Sequence, residues 1–60
     1  MEKIQIELDD IQALALANFC KRAFIERVQP FSQSENEAWQ MVYAIDALRF
    51  ALEKAGWFPR

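Results

Sequence analysis

One helix, from Ser34 to Gly56, constrains the fold of this chain more than any other stretch. Ser34 and Glu37 have the spacing of a capping box, in which the hydroxyl accepts a backbone N–H three residues on and the glutamate reaches back. Ser32 and Glu35 offer the same chemistry two residues earlier, so the helix begins between residues 32 and 36. Gly56 ends the helix, because glycine readily takes the left-handed conformation that terminates helices, and Pro59 prevents its resumption. We therefore predict a helix over residues 34–55.

This helix carries apolar side chains on two opposite sides. At about 100° per residue, spacings of three and four place one set on a single face, the seam: Ala38, Met41, Ile45, Leu48, Leu52 and Ala55. Trp39, Tyr43 and Phe50 project roughly 180° away from the seam. One apolar stripe is enough for a surface helix, so two opposed stripes require cover on both sides.

The aromatic stripe has two interpretations. In the first, the short chain before and after the helix folds over Trp39, Tyr43 and Phe50. In the second, these side chains bind a partner protein or a second copy, because Trp and Tyr are favoured at such surfaces. Trp57 lies just past the glycine, where a large aromatic either joins this surface or folds back on the last helical turn.

The N-terminal residues alternate between polar and apolar side chains. Such alternation predicts a strand over about residues 3–8 with Ile4, Ile6 and Leu8 on one face. A strand needs a partner ladder for its backbone groups, and nothing else in the sequence has a strand pattern. The strand is therefore expected to pair with its copy in a homodimer, or with a sheet edge on another protein.

A second helix is predicted over about residues 10–25, and its end is left open because residues 24–28 could continue the helix or turn away. Asp9 and Asp10 offer a cap and first-turn acids, and no Gly or Pro interrupts the stretch. Apolar side chains occupy a broad face and a second, narrower one, so we expect this helix to be largely buried. Cys20 lies in the broad face, where a free cysteine behaves as a small hydrophobe.

Residues 26–33 form the connection between the helices, around Pro30. Val28 and Phe31 are expected to pack inward at this end of the hairpin. The connection is too short for the helices to separate far, so they should form an antiparallel or sharply crossed pair.

The predicted fold class is α+β and mostly α, with a short N-terminal strand followed by a two-helix hairpin in one domain, residues 1–60. A chain of this size hides only about 60% of the surface that its unfolded form exposes. The single cysteine cannot form a disulfide within one chain. We therefore expect dimerisation to complete the fold.

The composition excludes several kinds of site. With no His and one Cys, an ordinary zinc site is absent, and a single Gly rules out a glycine-rich phosphate loop. No nucleophile has a visible base, so we expect no catalytic residues, no cofactor and no enzyme. A net charge of −2 gives no reason to expect nucleic acid or an anionic membrane. Without a membrane span or signal peptide, the expected location is the cytoplasm.

The order of strand, helix and capped helix resembles the ribbon-helix-helix DNA-binding family. The residues that carry this resemblance are the alternating run 4–10, the apolar helix after it and the run 32–35. The resemblance implies that two chains pair their first strands into a ribbon in the DNA major groove. Lys3, Gln5 and Glu7 would then contact bases, and the start of the last helix would contact phosphate.

A second resemblance covers nearly the whole chain. The runs 11–17, 37–38 and 51–57, together with Phe19 and the pairs 21–22 and 59–60, are similar to a family of short uncharacterised bacterial proteins. Members of that family are often associated with phages and other mobile elements. No activity is assigned to it, so this resemblance implies no functional residues.

The leading hypothesis from the sequence is a small, non-enzymatic protein-protein interaction module that forms a homodimer. It would present Trp39, Tyr43, Phe50 and Trp57 to a protein partner. The alternative is a DNA-binding regulator of the ribbon-helix-helix type.

Overall fold

Helices build the fold of residues 1–57, which are the part of the chain that the computed structural model describes. The helical segments are α1 (Asp10–Arg22), α2 (Ile25–Val28), a short 3-10 helix (Gln29–Phe31) and α3 (Glu35–Lys54). Within this part of the chain no residue is in a strand.

The predicted N-terminal strand is therefore wrong, and so is the α+β fold class. Residues 1–9, here called the N-terminal segment, have no regular secondary structure. Among the described residues, none pairs with the backbone of residues 1–8. The alternating pattern specifies which side chains share a face, but a strand also needs a ladder partner, and this chain folds without one.

Helix α1 begins as predicted and ends earlier than predicted. The Gln12 N–H donates to the Asp9 carboxylate at 2.7 Å, and the Asp9 N–H donates to the Gln12 side chain at 3.2 Å, which completes a capping box. The helix ends at Arg22 because the chain makes a tight turn centred on Ala23, with φ −89° and ψ 75°. The Phe24 N–H donates to the Arg22 carbonyl at 3.1 Å, as in an inverse γ-turn.

The connection between α1 and α3 is itself helical. Phe24 is extended, and its carbonyl accepts from the Arg27 and Val28 N–H groups at the start of α2. Val28 is buried, which confirms half of the prediction for this end of the hairpin. Phe31 is 79% exposed, so the other half is wrong.

Both predicted ends of α3 are confirmed. The Ser34 hydroxyl accepts from the Glu37 N–H at 3.1 Å, while the Glu37 carboxylate accepts from the N–H of Gln33, one residue before the cap. At the other end, Gly56 has a φ of +96°. Its N–H donates to the Glu53 carbonyl at 3.0 Å. Pro59, expected to prevent resumption, lies outside the described residues.

Trp57 folds back on the last turn of α3. Its N–H donates to the Leu52 carbonyl at 2.9 Å, which with the Gly56 bond completes a Schellman motif. The Trp57 side chain is partly buried against Leu52 and its neighbours. This arrangement matches the hydrophobic contact that commonly accompanies the motif.

Ala17, Cys20 and Leu52 form the core cluster where α1 packs against α3. The partly buried side chains around it include Leu16 of α1 and two residues from the seam of α3, Ile45 and Leu48. Ala13 lies near Ala51, whereas Cys20 lies near Val42, so the helices run in opposite directions. Of the two predicted arrangements, antiparallel or sharply crossed, these contacts favour the antiparallel one.

The expectation that α1 is largely buried is wrong. Its buried positions are Ala13, Ala17 and Cys20, while Leu14 and Phe19 are exposed. The 7.0 kDa chain has an accessible surface of 5343 Å². A folded monomer of this mass is expected to have only about 4,000 Å². The surface of the chain is thus larger than this scaling gives for its mass.

Replacing Gly56 tests the end of α3. We expect Gly56→Ala to lower the free energy of unfolding by about 1 kcal/mol, because an L side chain is disfavoured at positive φ. A Cβ built at Gly56 has no neighbour within 4 Å, so the loss comes from backbone conformation and not from a clash. Urea denaturation measures it. Gly56→Asn is the control and should lose less, because Asn tolerates this conformation. Equal stability of all three proteins would contradict the assignment.

Candidate protein interface

Trp39, Tyr43 and Phe50 form one exposed surface on α3, here called the aromatic face. Their side chains are 40%, 57% and 61% exposed, respectively. The seam of α3 packs against α1, so residues on the opposite side of the helix point away from the core. The described part of the chain does not fold over this stripe, contrary to the first of the two interpretations.

Two local contacts hold the aromatic face in place. The ring centroids of Trp39 and Tyr43 are 6.3 Å apart with an interplanar angle of 31°. This separation is within the range of favourable aromatic pairs. The Lys54 ammonium lies 5.2 Å from the centroid of the Phe50 ring, as in a cation–π contact. These two contacts restrain the rings, so the three aromatic side chains form one apolar surface on a regular helix.

Charged side chains border the aromatic face. Arg49 and Glu53 form an ion pair with 3.8 Å between Nε and Oε1. Both side chains are substantially exposed, so this pair contributes little to stability. Asp46 is exposed one turn from Tyr43. An apolar centre with a polar rim is the usual anatomy of a protein–protein interface.

The aromatic face continues into a hollow of about 410 Å³ beside Trp39, here called the Phe24 hollow. Phe24 lies on the α1 side of this hollow, opposite Val42 and Trp39 of α3, and its side chain is exposed. The sequence did not assign Phe24 to this surface, because its spacing placed it on the broad apolar face of the first helix and left open whether residues 24–28 continue that helix. The tight turn at Ala23 has no Gly or Pro signal that would have marked it.

The remaining predicted site residues lie elsewhere. Trp57 packs against the core cluster and does not join the aromatic face. Ile4, Ile6 and Leu8 line a different hollow, of about 490 Å³, together with Trp57 and Leu48. In that position Ile4 is still 83% exposed and Ile6 57% exposed. The structure thus groups three of the four predicted partner residues, and it separates them from the N-terminal segment.

Cys20 is buried in the core cluster, with 3% of its surface exposed, at the wall of the Phe24 hollow. Burial raises the pKa of its thiol, and the nearby Arg49 guanidinium opposes this shift. A reactive thiol is partly exposed in an electropositive environment. Cys20 is instead buried and lies inside α1. The packing agrees with the structural role expected from the sequence.

Residues 1–57 lack two further kinds of feature. In that range no group of three acidic, His or Cys side chains has the arrangement to hold a metal ion. None of its helices has the length and hydrophobicity needed to cross a bilayer.

A family model described as a family of unknown function (DUF7706) matches residues 1–60. The chain belongs to this family. The match confirms the resemblance to an uncharacterised family and carries no information about phages or ribbon-helix-helix proteins. No curated protein and no solved structure matches the chain.

Truncation of the aromatic face should leave the protomer stable. We expect Tyr43→Ala and Phe50→Ala to change its free energy of unfolding by no more than about 0.5 kcal/mol, because exposed side chains contribute little to a fold. Leu52→Ala is the buried comparison and should cost about 2 kcal/mol or more. Chemical denaturation at the lowest workable protein concentration measures all three. Equal losses would show that the aromatic face belongs to the core.

The raised pKa of Cys20 predicts a loss of stability in alkali. Below about pH 8.5, the ordinary thiol pKa, Cys20 is protonated in both states and its contribution is complete. Above that pH the unfolded thiol ionises first, so stability falls as the pH rises toward the folded pKa. Denaturation at pH 7 and pH 9.5 should show a larger loss for the natural chain than for Cys20→Ala. Identical losses would contradict a buried, protonated thiol.

Proposed function

We propose that this protein is a small, non-enzymatic interaction module that forms a homodimer and binds a partner protein through Trp39, Tyr43 and Phe50. The exposure of these three rings on one side of α3 carries the proposal. Aromatic side chains with few rotatable bonds supply much contact area at low entropic cost, and Trp and Tyr are common among the residues that dominate binding energy.

The surface area of the protomer supports association. The chain has about 1,300 Å² more surface than the scaling of area with mass gives for a folded monomer, and the exposed N-terminal segment contributes to this excess. Exposed apolar side chains lie on several sides of the protomer, including α1, the connection and α3. One interface on the aromatic face would leave the others uncovered, so we assign the homodimer to a different surface.

The DNA-binding alternative has lost its structural basis. It required a strand over residues 3–8, from which Lys3, Gln5 and Glu7 would contact bases. These residues lie in the irregular N-terminal segment, and no other observation favours DNA. The cytoplasmic location and the mobile-element origin are parts of the proposal that rest on the sequence alone.

A comparative capture experiment tests the partner surface. The natural chain, the double variant Trp39→Ser/Tyr43→Ser and the control Ile11→Ser would be immobilised and incubated with lysate of the source organism. Ile11 is a suitable control because it is exposed and apolar and lies on a different helix. We expect at least one protein that the natural chain and the control retain and that the double variant loses.

Fluorescence then tests direct binding with the recovered protein. In a Trp57→Phe variant, Trp39 is the remaining tryptophan. Its emission should shift to the blue when the purified partner covers the ring. Capture that is identical for all three chains, or an emission that does not change on binding, would reject the aromatic face as the partner surface.

A further inference from the structure

We propose that the N-terminal segment of each protomer docks into a groove between α1 and the α2 to 3-10 connection of the second copy. This inference rests on the homodimer of the proposed function and identifies the surfaces that form it. It concerns a part of the molecule distinct from the aromatic face.

The receiving groove has a volume of about 550 Å³ and is mostly apolar. Its apolar lining comes from Phe19 of α1 and Phe31 of the connection, with alanines and Val28 between them. The charged residues of the described lining are Arg22 and Arg27, and no carboxylate is among them. We name it the arginine groove. An occupant that fits it has aliphatic side chains and negative charges.

The N-terminal segment has this chemistry. Ile4, Ile6 and Leu8 alternate with polar residues, and the charged side chains of residues 1–8 are two carboxylates, Glu2 and Glu7, and one ammonium, Lys3, so that the acids are in excess. In an extended conformation the aliphatic side chains lie on one face, where they can enter the groove. Carboxylates along the segment can then pair with guanidinium groups at the groove rim.

Within its own protomer the segment lies on another side of α1. Together with Ala13 and Leu48, the segment lines the hollow of about 490 Å³. Phe19 and Arg22, in contrast, line the arginine groove. On the helical wheel of α1, Ala13 is more than 100° from both Phe19 and Arg22. In this structure, the N-terminal segment therefore does not occupy the arginine groove of its own chain.

Little holds the segment where it lies. Among the described residues, none forms a backbone hydrogen bond with residues 1–8, and Ile4 and Ile6 remain largely exposed. Transfer to a second copy would cost few contacts and would bury apolar surface on both the segment and the groove. If each chain donates its segment and receives the other, the two identical contacts are related by a two-fold axis and the assembly closes as a dimer.

Charge reversal on each side of the contact tests the inference. The segment variant is Glu2→Lys/Glu7→Lys, and the groove variant is Arg22→Glu/Arg27→Glu. Either variant alone would place like charges in both contacts of the dimer. We expect each to raise the dimer dissociation constant about tenfold or more, because several exposed charge pairs change sign together. Sedimentation equilibrium measures the constants.

Mixing the two variants provides the decisive observation. In a mixed dimer the positive segment of one chain meets the negative groove of the other, and the negative segment of the second meets the positive groove of the first. An equimolar mixture should therefore recover at least a large part of the natural affinity. Recovery also shows that neither variant failed simply because it had unfolded.

The matched control is Lys21→Glu/Asp46→Lys, a charge reversal of two residues that line the Phe24 hollow. It should leave the dissociation constant unchanged. If the natural chain dimerises and every variant dimerises equally well, the segment exchange is overturned. The homodimer of the proposed function would then still stand. A natural chain that stays monomeric would overturn both, and the aromatic face would still be judged by its own capture experiment.

Discussion

The structure depends on a contact between α1 and α3 that is made largely of small side chains. Ala17 and Cys20 of α1 meet Leu52 of α3, and Ala38 is also fully covered. Small residues bury little apolar area each, so the core contributes little of the hydrophobic stabilisation that a folded chain requires. The helix ends, in contrast, have their local stabilising interactions: α1 and α3 each have a side-chain cap at the N-terminus, and α3 ends in a Schellman motif.

The limited core has a direct consequence for function. Most large apolar side chains of the described chain remain at least partly exposed, and they are distributed over separate surfaces. The aromatic face points away from the core on α3, while the arginine groove and the N-terminal segment lie on different sides of α1. Exchange of segments between two copies would cover the arginine groove and the N-terminal segment, and it would leave the aromatic face free for a partner. The two proposals therefore describe compatible contacts.

Sequence reasoning identified the features that depend on local chemistry. Ser34 and Gly56 mark the ends of α3, and helical spacing alone places Trp39 and Tyr43 opposite the seam. The strand was wrong because alternation defines faces, whereas a strand depends on a distant ladder partner. The end of α1 was misplaced because a γ-turn at Ala23 needs no special residue. This error also hid the position of Phe24 beside the aromatic face.

We propose that one protomer has too little core to be stable alone and that association with a second copy supplies the rest. Sedimentation equilibrium of the natural chain across a concentration series, with helix content followed by circular dichroism, tests this proposal. We expect a dimer that persists to low micromolar concentration and loses helix as it dissociates. A monomer that keeps its full helix content at every concentration would contradict it.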